Sequence, residues 1–189
     1  MRRSTSWMVL ALSLSTTAVL AQSDTYWEIR PIAGIAVPTG AQRGVIRDAA
    51  FVGASTSLRL NTSLDLVASF AFQSSTAKYD VSDNHSHVLV YNAGVEKLYR
   101  PTNAGSHGSW VPFFGGGVGG RAYDFRSSAL SSTACFSGYG NGGMQYERPR
   151  TTLRLELRDN LFCYKQPVPP FDRVPRNEVT IGLGAGVRF

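Results

Sequence analysis

No apolar run in the sequence beyond residue 21 is long enough to span a bilayer as a helix, which needs about 20 consecutive apolar residues. The sequence also lacks a run of Lys and Arg, because its 19 basic residues are scattered at one or two per apparent strand. A nucleic-acid-binding surface would gather them on one face. Hydrophobic residues make up 43% of the sequence and do not recur with a helical period. Together with the 19 glycines, this favours an all-β chain.

The first 21 residues predict a secretory signal peptide. Arg2 and Arg3 form a charged start, residues 7–14 are apolar, and small residues precede a cleavage point after Ala21. An uncleaved membrane anchor is a weaker alternative, because serines and threonines interrupt the apolar run. The expected domain is therefore 22–189, in a protein exported from the cytoplasm.

The segment 179–189 alternates with a period of two. Its small or polar positions are Thr180, three glycines and Arg188. Its apolar positions are Val179, Ile181, Leu183, Ala185, Val187 and Phe189. A tilted strand of about 9–11 residues crosses a bilayer, and a strand with one apolar face suits a closed membrane barrel. The last strand of a soluble sandwich is the alternative.

Eight segments of this kind follow one another along the chain. They are 26–37, 50–60, 64–73, 85–100, 110–125, 136–147, 151–162 and 179–189. The connections 61–63 and 148–150 are short, whereas 38–49, 74–84, 127–134 and 163–177 are long; the connector 101–109, of nine residues on the short side, is the exception. Short turns on one side and long loops on the other are typical of outer-membrane barrels. We predict an all-β fold, an eight-stranded antiparallel up-and-down transmembrane β-barrel.

Ionisable residues fall opposite the apolar face of their strands. They are Glu28, Arg30, Arg59, Asp65, Glu96, Arg100, Arg154, Glu156, Arg158 and Arg188. A charged side chain near the bilayer midplane costs several kcal/mol, so these groups are predicted to form ion pairs inside the barrel. Two alternatives stay open: a soluble sheet with a solvated face, and a lipocalin-like barrel whose apolar face points inward.

Four segments resemble small outer-membrane β-barrel proteins, the OmpA-like or outer membrane protein β-barrel domain group. They are 92–96, 112–119, 153–159 and 181–189. The resemblance implies a bacterial outer-membrane location, contact with outer-membrane lipid, and no shared catalytic residues or cofactor. It also implies an assembly signal, read by the barrel-assembly machinery, at Ile181, Leu183, Ala185, Val187 and Phe189.

One cluster invites a chemical interpretation. His85, Ser86 and His87 suggest a lipid-acting hydrolase similar to a lipid A deacylase, or two imidazole ligands for a metal. A hydrolase needs a third group to orient the histidine, and the sequence does not identify a residue for this role. A solvated strand rim is the alternative interpretation of these residues.

Cys135 and Cys163 flank the hairpin that turns at Pro149. Pairing Arg148 with Thr151 would set Cys135 opposite Tyr164, one residue from Cys163, so we predict a disulfide that ties the outer loops. Aromatic residues predict two girdles at the membrane boundaries. Trp27, Tyr99, Trp110 and Phe189 would form the periplasmic girdle, and Tyr79, Tyr123 and Phe136 the outer one.

The sequence thus predicts a non-enzymatic outer-membrane barrel with its lumen closed by ion pairs. Its work would be structural, or would be done by the long loops, which would meet an unidentified ligand or a host surface. A lipid-acting hydrolase and a narrow pore are the two alternatives.

Overall fold

The computed structural model describes residues 26–44, 46–76, 78, 85–101, 108–125, 132–165 and 173–189. The predicted signal peptide lies outside them. Strands of 11 to 17 residues account for most of this part of the chain. They are β1 (Trp27–Thr39), β2 (Ala49–Arg59), β3 (Leu64–Thr76), β4 (His85–Leu98), β5 (Ser109–Phe125), β6 (Thr133–Glu147), β7 (Thr151–Lys165) and β8 (Arg173–Arg188). A short 3-10 helix, Gly40–Gly44, follows β1.

Each strand pairs antiparallel with the next, and β8 pairs with β1 to close a barrel. Trp27 and Phe189 fasten this closure by exchanging backbone hydrogen bonds of 3.3 and 2.8 Å. The predicted eight-stranded antiparallel up-and-down barrel is confirmed. We call the end with the connections 60–63 and 148–150 the turn end, and the opposite end the loop end.

Burial alternates along the strands. In β7, Leu153, Leu155 and Leu157 are exposed on the outside, while Thr152 and Arg154 are buried inside. Side chains alternate between the faces of a strand, so every strand has one outward and one inward set. The outward set is apolar and the inward set is largely polar. A lipocalin-like barrel would have the reverse arrangement, and a soluble sheet would not expose this many large apolar side chains.

Several strands are longer at the loop end than their period predicts. β3 extends to Thr76, β6 begins at Thr133, and β7 ends at Lys165. β8 begins at Arg173, inside the segment 163–177 that the sequence predicts to be a loop. Prolines in this segment favoured a loop, yet Pro175 pairs with Cys163 in the β7–β8 ladder. Cross-strand pairing therefore outweighs the local turn propensity.

Glycines on the inner face give room to large side chains. A Cβ at Gly115 would lie 2.7 Å from Cγ of Glu96, and one at Gly94 would lie 2.4 Å from the Tyr139 hydroxyl oxygen. A closed eight-stranded barrel has an interior that side chains just fill, so each large residue needs a small neighbour. Among the residues with described coordinates, no helix is long and apolar enough to cross a membrane.

Candidate functional site: the lumen of the barrel

The lumen contains charged side chains in three layers. The middle layer comprises Glu28, Arg30, Glu96, Arg154, Glu156 and Arg158. Arg154 binds Glu96 through two parallel hydrogen bonds, Nη2 to Oε1 at 2.6 Å and Nη1 to Oε2 at 2.8 Å. Its Nη2 also lies 2.8 Å from Oε2 of Glu156, whose Oε1 lies 2.7 Å from Nη2 of Arg158. Oε1 of Gln145 accepts hydrogen bonds from Arg154 at 3.3 Å and from Arg30 at 3.4 Å, so the layer is one connected network rather than separate pairs.

The polar atoms of this layer have further partners. Arg30 pairs with Glu28, which also accepts a hydrogen bond from the Thr152 hydroxyl at 2.7 Å. The Asn141 amide donates to Oε1 of Glu96 at 2.7 Å. The Arg154 guanidinium lies 3.5 Å from the centre of the Phe113 ring. Buried charges are tolerated where opposite charges and hydrogen bonds compensate them, as they do here.

The turn-end layer comprises Arg59, Asp65, Arg100, Glu147 and Arg188. Arg100 lies 3.0 Å from Asp65 and 3.1 Å from Glu147, and Arg188 lies 2.9 Å from the same Glu147 oxygen. Arg59 lies 3.5 Å from Glu147 and also contacts the Tyr26 hydroxyl. Arg188 joins this layer to the middle one through Glu28, at 3.1 Å. The two layers therefore form one charged network.

The loop-end layer comprises Gln73, Arg121 and Glu178. Nη2 of Arg121 lies 2.7 Å from Oε1 of Glu178, which also accepts a hydrogen bond from Gln73 at 3.2 Å. Arg121 is 1% exposed and its guanidinium lies 4.5 Å from the centre of the Phe162 ring. A buried ion pair again faces the interior.

The structure places all ten predicted lumen residues on the inner face, and each forms an ion pair. Sequence analysis missed Glu147, a partner of three of them, and the separate pair of Arg121 with Glu178. The glycines of 115–120 obscure the face assignment of Arg121, and Glu178 lies between the predicted loop 163–177 and the predicted strand 179–189. Glu147 could have been found by asking which carboxylate compensates the buried arginines, because it follows Gln145 on the same inner face of β6.

The residues of the hydrolase alternative do not come together. Ser86 is fully buried on the inner face of β4, whereas His85 is exposed and His87 lies on the outer face, stacked on Phe72 with ring centres 5.3 Å apart. Consecutive residues of a strand point to opposite faces, so Ser86 cannot receive help from either neighbour. Among the described residues, no group of three or more His, Cys, Asp or Glu is placed to hold a metal ion.

The structure does not contain the predicted disulfide, because Cys135 and Cys163 are free thiols. β6 and β7 pair Ser137 with Phe162, and continuing this register sets position 164, not 163, opposite Cys135. A shift of one residue moves a side chain to the other face of the sheet. Cys163 is accordingly exposed outside, while Cys135 shares the inward face of Ser137. The prediction was wrong because it ignored that an offset of one residue places the two thiols on opposite faces of the sheet.

Most predicted girdle residues lie on the outer surface. Trp27, Tyr99, Trp110 and Phe189 are exposed near the turn end, and Phe136 is 70% exposed toward the loop end. Tyr123 is the exception, because it is 2% exposed and packs inside against Phe162. The glycine-rich β5 again misled the face assignment. Tyr79 lies outside the described residues.

No protein-family model matches the sequence, and no curated protein matches it. Solved structures do resemble it. The N-terminal β-barrel domain of Pseudomonas aeruginosa OprF is 14% identical, with a TM-score of 0.59 over 87% of this chain and 97% of that one. Neisserial surface protein A is 12% identical, with a TM-score of 0.59 over 86% and 95%.

Ail, the attachment invasion locus protein of Yersinia pestis, is 16% identical, with a TM-score of 0.56 over 88% of this chain and 99% of that one. Identities at this level establish a shared fold. With an apolar exterior and a charged interior, the molecule has the architecture of a small bacterial outer-membrane β-barrel protein.

Proposed function

We propose that this protein is a non-enzymatic barrel of the bacterial outer membrane whose lumen is closed by ion pairs. The apolar exterior supports contact with outer-membrane lipid, and the similar solved structures support the location. The observation that carries the closed lumen is the middle layer, in which Arg154 reaches Glu96 on β4 and Glu156 on its own strand, β7.

The closure follows from the position of these groups. Arg154 and Glu96 are 5% and 1% exposed, and Arg158 continues the network toward Ser69 on β3 with a hydrogen bond of 3.3 Å. An ion would have to separate buried charges to pass, and removing one partner of such a pair costs about 3–5 kcal/mol. A steady open pathway is therefore unfavourable.

Single-channel recording in planar bilayers tests this proposal. The wild-type protein is expected to give no steady open conductance at neutral pH. The double variant Glu96→Gln with Arg154→Gln removes both charges of the central pair and serves as the comparison, with brief openings expected. A steady conductance from correctly folded wild-type protein would contradict the closed lumen and favour the narrow pore.

The orientation is proposed to place the loop end outside the cell. Both ends offer single exposed positions for a thiol in a background without Cys135 and Cys163: Arg47 at the loop end and Asn61 at the turn end. An impermeant maleimide applied to intact cells should label Arg47→Cys and spare Asn61→Cys. The reverse pattern would invert the orientation. If neither variant were labelled and the protein were missing from the outer-membrane fraction, the location would be refuted.

We further propose that any ligand or host surface is met by the connections at the loop end, because loops carry most binding functions on rigid barrels. The described part of that end contains a small basic cluster. Lys78 donates a hydrogen bond of 2.5 Å to the backbone oxygen of Arg43, and Arg47 bonds to the end of β3. Its exposed cations favour a partner with negative charge.

A further inference from the structure

A cavity lies inside the barrel, bounded by the middle and loop-end layers. It has a volume of about 50 Å³, which is room for roughly three to five water molecules at about 10–15 Å³ each. The lining residues include the apolar side chains of Phe51, Val67 and Val90 and the polar side chains of Arg121, Arg158 and Asn160.

The charges that line this cavity are unequal. Arg30, Arg121, Arg154 and Arg158 contribute four cations, and Glu156 is the one carboxylate among the lining residues. Glu156 is already bound by two of these arginines, at 2.8 and 2.7 Å. Glu28, Glu96 and Glu178 pair with Arg30, Arg154 and Arg121 but are not lining residues. Cations therefore outnumber carboxylates among the residues that line the cavity.

Two of these arginines retain hydrogen-bond donors that no carboxylate reaches. Nε of Arg30 has no partner, and Glu178 binds only Nη2 of Arg121, whose guanidinium also interacts with the Tyr123 hydroxyl. Arg121 and Arg30 are 1% and 3% exposed, so water at the surface does not satisfy them. A buried donor that stays unpaired costs about 1–3 kcal/mol, and more when it is charged. A guest with negative oxygens would remove this cost.

We propose that this cavity is a binding site for a small oxyanion, of the size of nitrate, acetate or phosphate. Arg121 and Arg30 donate to its oxygens, and Asn160 also lines the cavity. The apolar lining residues keep the local dielectric low, which strengthens the attraction between the guanidinium groups and the anion. The volume excludes a larger organic acid.

Titration calorimetry of the whole mature protein in detergent micelles tests the site. Sodium nitrate, acetate and phosphate are compared with sodium gluconate at equal ionic strength, because gluconate is too large to enter. Saturable binding of at least one of the three small anions, with none for gluconate, is expected. If wild-type protein binds none of them saturably, the cavity holds water only and the proposal fails.

Three variants locate the binding. Arg121→Gln should weaken it at least tenfold, and Ala71→Leu should do the same by filling the apolar wall without changing any charge. Arg150→Gln, at an exposed arginine of the turn end, is the matched control and should bind like the wild type. An equal loss in the control would assign the binding to the surface and overturn the proposal.

A crystal soaked in sodium selenate gives an independent measurement that needs no variant. The anomalous signal of selenium is expected inside the cavity, within hydrogen-bond reach of Arg121. Peaks confined to exposed arginines would contradict the luminal site. Because binding and conductance are measured separately, failure of this site would leave the closed-lumen proposal standing, and the reverse also holds.

Discussion

Arg154 and Glu96 form a two-pronged ion pair across the interior of the barrel, with N to O distances of 2.6 and 2.8 Å. The strands that carry them, β4 and β7, are not neighbours in the sheet. The pair therefore braces the barrel across its lumen, in addition to the hydrogen bonds that run around its wall. Two parallel bonds between a planar guanidinium and a carboxylate also fix their relative orientation.

The first prediction concerns this pair. Glu96→Gln leaves Arg154 with Glu156 alone and should lower the free energy of unfolding by about 3 kcal/mol, because a buried charge loses its main partner. Urea titration of protein folded in detergent micelles measures the change. The exposed carboxylate Asp48 provides the control, since Asp48→Asn should stay within about 0.5 kcal/mol of the wild type.

A second substitution separates two effects of Glu96→Gln: the loss of the contact itself, and the buried charge of Arg154 that is left without its main carboxylate. The double variant Glu96→Gln with Arg154→Met removes both charges and should be more stable than Glu96→Gln alone, because no cation is then left without its main carboxylate. A double variant that is less stable than either single variant would mean that packing around Arg154, not its charge, dominates.

The second prediction concerns Gly94, which faces the lumen beside Tyr139. A Cβ there would lie 2.4 Å from the Tyr139 hydroxyl oxygen and 2.3 Å from the backbone oxygen of Gly116. Gly94→Ala should therefore destabilise the barrel by about 1–3 kcal/mol, as overpacking does elsewhere. Gly140 is the control, because a Cβ there meets nothing within 4 Å, and Gly140→Ala should be neutral or slightly stabilising.

Strand periodicity explains how much of the barrel the sequence reveals. The leucines of β7 alternate with Arg154, Glu156 and Arg158, so the two faces of the strand follow from the period. Which face is the interior follows only when the final Phe189 and the alternation of short and long connections are added. Arg121 and Glu178 escaped because their segments have no clear period: one is interrupted by glycines, and the other contains prolines. Ion-pair partners also depend on register across the lumen, which the order of residues along the chain does not contain.

The third prediction concerns the cysteines. Purified protein without reductant should take up two equivalents of a thiol reagent after unfolding, as expected for two free thiols. Exchanging the positions, with Cys163→Ser and Tyr164→Cys, should allow a bridge from Cys135 to position 164, because the register sets these two opposite each other. Non-reducing mass spectrometry distinguishes the bridged from the free form. A bridge in the wild type would contradict the register.

The fourth prediction concerns assembly. If Ile181, Leu183, Ala185, Val187 and Phe189 form the signal for the barrel-assembly machinery, Phe189→Ala should lower the yield of protein folded in the outer membrane. It should leave folding into detergent micelles nearly unchanged, because the Phe189 side chain is 73% exposed. The exposed Phe136, far from this signal, is the control. Equal yields for Phe189→Ala, Phe136→Ala and wild type in cells would refute the role.

The fifth prediction concerns Pro31, at the seam where the barrel closes. The β1–β8 ladder pairs Ile29 with Val187 and Ile32 with Gly184, so the same register sets Pro31 opposite Ala185. Trp27 exchanges backbone hydrogen bonds with Phe189, which directly follows β8. Along a strand, every second residue directs its backbone N–H and C=O toward the same neighbouring strand, so the backbone of position 31 also faces β8. Proline has no N–H to donate there. Pro31→Val should add this bond and stabilise the barrel by about 1 kcal/mol in urea titration. Ala33→Val, also on the outer face of β1, adds the same side chain without a new bond, and an equal gain there would attribute the effect to side-chain burial instead.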